Sequence, residues 1–233
     1  MPHNQSININ TNLTWAPVST RVAPNYRNMT VPYYRLNNTS STNNVQQKVS
    51  QNEQFFIDKY GKAVVDKAKE VAMSINCDWI DLIEIMYSES GMDPKKHHER
   101  NGKIVGAVGL IQFTQVTIDQ INKTYPELNL TKEKLIKMST VEQLSYVQKY
   151  YEISKKIAGF RDNHKLSELE LYALTFMPKY AKNDVLAKSG NFAYDENKDL
   201  DKNNDGKITK SDLQIHINNR LTELYGKRLN LHA

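Results

Sequence analysis

The sequence predicts a mainly α-helical domain carrying one small β-hairpin, and three observations lead there. From Asn52 onward, apolar residues recur at helical spacing through most of the chain. Helix starts are marked by two capping boxes, Ser139-x-x-Glu142 and Ser167-x-x-Glu170, and by N-cap candidates at Asp78 and Thr131. A hairpin is signalled at Asn101-Gly102, flanked by Arg100 and by Lys103-Ile104-Val105, because both central positions of a tight hairpin turn need positive φ.

Residues 1–50 stand apart from this pattern. They are rich in Asn, Ser, Thr and Gln, with scattered Pro, Trp15, Tyr26, Tyr33 and Tyr34, and show no helical period. Such a composition buries too little apolar surface to fold independently, so it reads as an extended, low-complexity arm. The arm is either a disordered leader or a segment that orders when docked on a larger assembly. Residues 51–233 then form the one domain. Its first helical stripe runs through Phe55, Phe56, Tyr60, Val64, Ala68 and Val71, interrupted by Gly61. A second helix follows Asp78 and ends at Gly91, with Pro94 beyond it. The hairpin beside this helix would form one wall of a cleft.

At 233 residues and 26.9 kDa the chain holds one sizeable core plus appendages, since domains run about 100–200 residues. A net charge of +5 and a pI near 9.0 favour acidic partners: nucleic acid, an anionic membrane or cell-wall polymers. Lys and Arg are spread along the chain, without zinc-finger spacing, an aromatic RNA-binding signature or a purely basic helix, which argues against nucleic acid. No stretch has the length of a membrane span, and the N-terminus lacks a positive start followed by an apolar run. The expectation is a protein not exported by its own signal. The single cysteine, Cys77, has no internal disulfide partner and reads as structural.

The helix after Asp78 puts Trp79, Leu82, Ile83 and Met86 on one face, and Glu89 and Ser90 extend that stripe by a turn. A carboxylate aimed inward loses hydration, which penalises its ionised form and raises its pKa. Glu89 is thus placed to hold a proton near neutral pH and donate it to a leaving oxygen. Nearby Asp93, in Gly-Met-Asp-Pro, reads as a turn former, and His97 and His98 as solvated residues of a charged loop.

Glu89-Ser90-Gly91 followed by Gly106-Ala107-x-Gly109-Leu110-x-Gln112 resembles the paired motifs of soluble lytic transglycosylases and goose-type lysozymes. The likeness continues through Phe113-Thr114, Met138-Ser139 to Tyr150-Tyr151, and Leu171 to Pro178. The order is similar to peptidoglycan-cleaving domains of bacteriophage tail and virion proteins, and covers roughly residues 51–215. The resemblance implies a lysozyme-like α+β fold with the hairpin beside the catalytic helix. It further implies Glu89 as the one catalytic acid, which later acts as base toward the sugar's own 6-hydroxyl. The bond attacked would be MurNAc–GlcNAc in bacterial peptidoglycan, with no cofactor in the chemistry. Ser90 and Gln112 match positions expected to contact substrate or orient the glutamate, with capping and backbone satisfaction as the alternative. Tyr151 and Tyr172 would stack on sugar faces or hydrogen-bond to Glu89, or else pack in the core. Thr175-Phe176-Met177-Pro178 departs from the family's Tyr-Asn-Ala-Gly. The arm would engage phage tail or other virion proteins, placing the chain in a virion or in host cytoplasm before release.

One further motif is independent of that likeness. Asp201, Asn203, Asp205 and Asp212 occupy positions 1, 3, 5 and 12 of an EF-hand-like loop, with Gly206 at position 6 and Ile208 at position 8. Lys207 would add its backbone carbonyl and Thr209 would act through water. The expected cofactor is one structural Ca²⁺, since the overlapping Asp195-x-Asn197-x-Asp199 run has Leu200 where glycine is needed. Asp212 stands where the motif usually has a bidentate glutamate, which weakens the expected affinity. Three functions remain open at this point: a lytic transglycosylase or hydrolytic muramidase, a calcium-responsive binding module, and a structural virion protein on a lysozyme-like fold.

Overall fold

The computed structural model describes residues 50–229. The arm expected over residues 1–50 therefore lies outside the described residues, apart from Ser50 at its boundary. Ser50 Oγ accepts the Glu53 N–H and starts helix α1 (Gln51–Tyr60). Gly61 follows at φ 87° and ψ 150°, a region that only glycine enters without strain. The stripe, with its interruption at Gly61, is accordingly carried by two helices, α1 and α2 (Lys62–Ile75).

Helix α3 (Trp79–Ser90) is the element on which the others pack. The Asp78 carboxylate accepts the Ile80 N–H at its start, and Gly91, at φ 70°, closes it in the left-handed conformation. Leu82, Ile83, Ile85 and Met86 are all fully buried, and Asp81, Glu84, Ser88 and Ser90 are buried as well, so α3 is enclosed nearly all round instead of on one face. Its cover comes from α2, from α7 (Glu168–Phe176) and from α9 (Lys210–Leu229). Burying each such aliphatic side chain contributes about 1.5–3 kcal/mol, which fixes the last turn of α3 firmly in the core.

After Pro94 the chain forms the expected hairpin, β1 (His98–Arg100) against β2 (Lys103–Val105), antiparallel with Arg100 opposite Lys103. Asn101 and Gly102 both take positive φ, 54° and 69°. Helix α4 (Gln115–Thr124) and the short α5 (Lys132–Leu135), capped by Thr131, lead into α6 (Thr140–Ala158). Helices α6 and α7 both start in complete capping boxes, at Ser139/Glu142 and Ser167/Glu170. Helix α6 packs along α2 and touches α4 and α7.

A second two-stranded antiparallel pair was not expected. Strand β3 (Val185–Lys188) pairs with β4 (Lys207–Thr209), Ala187 opposite Ile208, with an irregularity between Val185 and Ala187. Strands of three or four residues are too short for period-two alternation to register, and their pairing is non-local. The short α8 (Phe192–Asp195) lies between them, and α9 leaves directly from β4. The described residues thus form a mainly helical domain of nine helices with two small antiparallel pairs. None of those helices is long and apolar enough to cross a membrane.

Candidate active site

Glu89 sits in the last turn of α3 and is half-buried. Burial raises its pKa from 4.5 to about 7; the Tyr172 hydroxyl, donating to the carboxylate, and the Arg220 guanidinium pull in the opposite direction and only partly offset it. Tyr172 comes from α7 and Arg220 from α9, so three helices meet at this carboxyl. Burial, and next the negative Glu89, push the Tyr172 hydroxyl well above the ordinary tyrosine range, which keeps it a donor. The buried Tyr150 and Tyr151 hydroxyls are also raised, with Glu89 adding to the effect of burial. The charged group that favours ionised Glu89 is the Arg220 guanidinium. Asp93 forms a turn, its Oδ1 accepting the Lys95 N–H at 2.8 Å.

Removing the Tyr172 hydroxyl gives a prediction of definite sign. Tyr172→Phe deletes a donor that favours ionised Glu89, so the Glu89 pKa is expected to rise above about 7. The titration of the Glu89 carboxyl, followed by NMR, moves to higher pH. A titration that stays in place or moves down would show that Tyr172 does not act on Glu89.

The turn that faces α3 is built from Val108 to Phe113, which exchange backbone hydrogen bonds at 3.1 and 2.7 Å. Gly109 and Gln112 both have positive φ, 74° and 51°. Ser90 Oγ lies 2.9 Å from the Leu110 carbonyl and 3.0 Å from that of Met86, tying the turn to the helix one residue after Glu89. Gln112 is half-buried and its Nε2 donates to the Gly109 carbonyl at 2.9 Å.

At three positions the geometry selects among the alternatives that the sequence left open. Tyr151 is 0 % exposed and its hydroxyl meets Thr175 Oγ1 at 2.7 Å, so no ring face is left for a sugar. Tyr172 is 3 % exposed, which likewise excludes stacking and leaves the hydrogen bond to Glu89. Ser90 is buried with its hydroxyl taken up by backbone carbonyls, and its part is to hold the turn. Gln112 keeps an accessible side chain beside the turn. The departure at Thr175 is internal, since its Oγ1 also donates to the Leu171 carbonyl at 2.9 Å.

Arg220 and His216 were missed in the sequence, because α9 lies far along the chain from Glu89. Asp212, His216 and Arg220 recur every fourth residue, which places them on one stripe of α9. The His216 ring lies 5.9 Å from that of Tyr172, and burial lowers its pKa to about 4, leaving it neutral near pH 7. Arg220 stacks 5.6 Å from the Tyr87 ring centroid and pairs with Glu223 at 2.6 Å.

The loop 201–212 has EF-hand-like backbone bonding. Asp201 accepts the N–H groups of Asp205 and Gly206, Asn203 that of Asp205, and Asp205 that of Lys207. Gly206 has φ 80° at the sharp turn, and buried Ile208 joins β4 to β3 where a second EF-hand would pair. Asp201 and Asp212 are buried, and neither forms a salt bridge among the described residues. Donor types and order therefore fit a hard cation held by Asp201, Asn203, Asp205, the Lys207 carbonyl and Asp212. Another carboxylate group lies elsewhere among the described residues: atoms of Asp81, Glu84 and Glu168 fall within 4.8 Å of one another, all three side chains buried. Tyr225 donates to Glu84 Oε1 there at 2.7 Å. Asp81, Glu84 and Ser88 form a buried polar stripe of α3.

Compared with protein-family models, curated proteins and solved structures, this chain matches none.

Proposed function

We propose that this protein cleaves the MurNAc–GlcNAc bond of bacterial peptidoglycan as a single-glutamate lytic transglycosylase on a lysozyme-like fold. The observation that carries the reading is Glu89, a carboxyl in the last turn of α3 whose pKa burial raises to about 7, with a tyrosine donor and the Arg220 charge acting on it. Protonated Glu89 gives its proton to the glycosidic oxygen as the bond to C1 breaks. The carboxylate then takes the proton of the sugar's own 6-hydroxyl, whose oxygen bonds to C1, closing an anhydro ring and regenerating the acid. No water is consumed. A pKa near neutrality suits a group that must donate and then accept. Ser90, through Leu110, holds the turn that presents Gln112 to the sugar. The 201–212 loop is read as a structural calcium site outside the chemistry.

Digestion of purified peptidoglycan followed by mass spectrometry tests this. Fragments ending in anhydro-MurNAc support the proposal; reducing MurNAc would make the protein a hydrolytic muramidase, and the absence of fragments would leave a structural virion role. Virion association rests on the arm's composition and on the motif likeness. A chain beginning at Gln51 is expected to digest isolated wall as well as the full chain does, and loss of digestion would make the arm part of the enzyme.

A further inference from the structure

The geometry points to Gln143 as the positioning residue of the proposed active site, clamping the turn that carries Gln112 against the helix that carries Glu89. This rests on the reading of Glu89 as the acid. Gln143 lies in the first turns of α6 and is 0 % exposed. Its Oε1 accepts the Leu110 N–H at 3.0 Å, while Nε2 donates to the carbonyls of Pro94 at 2.6 Å and Leu135 at 2.7 Å. One amide thus joins the exit of α3, the 108–113 turn and the end of α5.

The same peptide is held from both ends. Leu110 gives its N–H to Gln143 and its carbonyl to Ser90 Oγ at 2.9 Å, next to Glu89. Only an amide of this length supplies one acceptor and two donors at that spacing: Glu ionised has no donor, Met has neither, and Asn is a methylene short. Gly109 is matched to it. A Cβ there would stand 2.4 Å from Gln143 Oε1, and φ 74° independently favours glycine. A side chain 33 residues away in sequence meets the Leu110 N–H, which fixes the turn to α6 and, through Pro94, to the exit of α3. Small displacements of positioning groups cost rate steeply, about 10²-fold for about 1 Å.

The test uses Gln143→Met and Gln143→Glu in the full chain, with kcat and KM on soluble peptidoglycan fragments and amide hydrogen exchange at Leu110. Gln143→Met keeps volume and removes all three bonds; kcat is expected to fall about 10²-fold with KM little changed, and Leu110 to lose exchange protection. Gln143→Glu keeps the acceptor for Leu110 and, with its carboxyl held protonated by burial between two carbonyls, one of the two donors, so it should retain Leu110 protection and lose less of kcat; it also serves where the Met variant does not fold. Wild-type kcat with unchanged Leu110 protection in a folded variant overturns the inference. So does a loss of rate that merely tracks the unfolded fraction, which would make Gln143 a stability residue. If the wild type itself releases no fragments, the enzyme reading fails and the Leu110 exchange still decides whether Gln143 is the clamp.

Discussion

Glu89→Gln is expected to lower peptidoglycan cleavage by about 10²–10⁴-fold while the protein stays folded, because the amide keeps the shape of the acid but carries no proton to donate. The same variant has a thermodynamic signature. In the folded chain the Glu89 pKa is raised to about 7, above its ordinary value of 4.5. Between those two values the folded state holds a proton that the unfolded chain releases, so wild-type stability falls as pH rises through this window. Above about pH 7 the folded carboxyl is ionised in a buried site and the whole penalty is present. Glu89→Gln removes it, and the variant should melt above wild type at pH 8 and close to it below pH 4. Activity is measured by release of soluble fragments, and stability by thermal melts at the two pH values. Near-wild-type cleavage would remove Glu89 as the acid. A variant no more stable at pH 8 than at pH 4, relative to wild type, would show that the carboxyl is not desolvated.

The helical framework was legible because its signals are local. Asp78, Thr131, Ser139 and Ser167 each accept an N–H two or three residues on, a contact that any sequence with that spacing can form. Asn101-Gly102 belongs to the same class. The inward aim of Glu89 followed from helix phase, although α3 turned out to be enclosed on nearly every side, which also buried Asp81, Glu84 and Ser88. Long-range pairing was not legible. Nothing in the order of residues says that α9 returns to α3, bringing Arg220 to Glu89 and Tyr225 to Glu84, or that β3 lies against the 201–212 loop. Side-chain clamps are equally silent: Gln143 reads as one more polar residue after a capping box until Leu110, Pro94 and Leu135 surround it. The tyrosines show the limit from the other side, since a motif can mark Tyr151 and Tyr172 without saying which way their rings face.

Calcium is expected to raise the melting temperature, and the effect should vanish in the double variant Asp201→Ala, Asp205→Ala. Asp201 and Asp212 are buried carboxylates at the two ends of one loop, held by backbone N–H groups and hydroxyls but without a salt bridge among the described residues, so a bound cation would add the full charge partner that these hydrogen bonds do not supply. The loop also joins β4 to the start of α9, the helix that covers α3 and reaches Glu89 with Arg220. Anchoring it therefore stabilises the domain as a whole. At a free ion concentration 100 times Kd, binding to the folded state alone contributes about 2.7 kcal/mol, or about 5–10 °C for a domain of this size. The midpoint should lie at weak affinity, about 10⁻⁴–10⁻³ M, for a reason visible in the loop. Asp212 is one methylene shorter than the glutamate usual at its position, and its oxygens already accept the N–H groups of Lys202 and Thr209 and the Thr209 hydroxyl. Melts in chelator and across a calcium titration decide the matter. Identical melting temperatures in wild type with and without the ion would show that the loop closes on its own backbone hydrogen bonds and holds no metal.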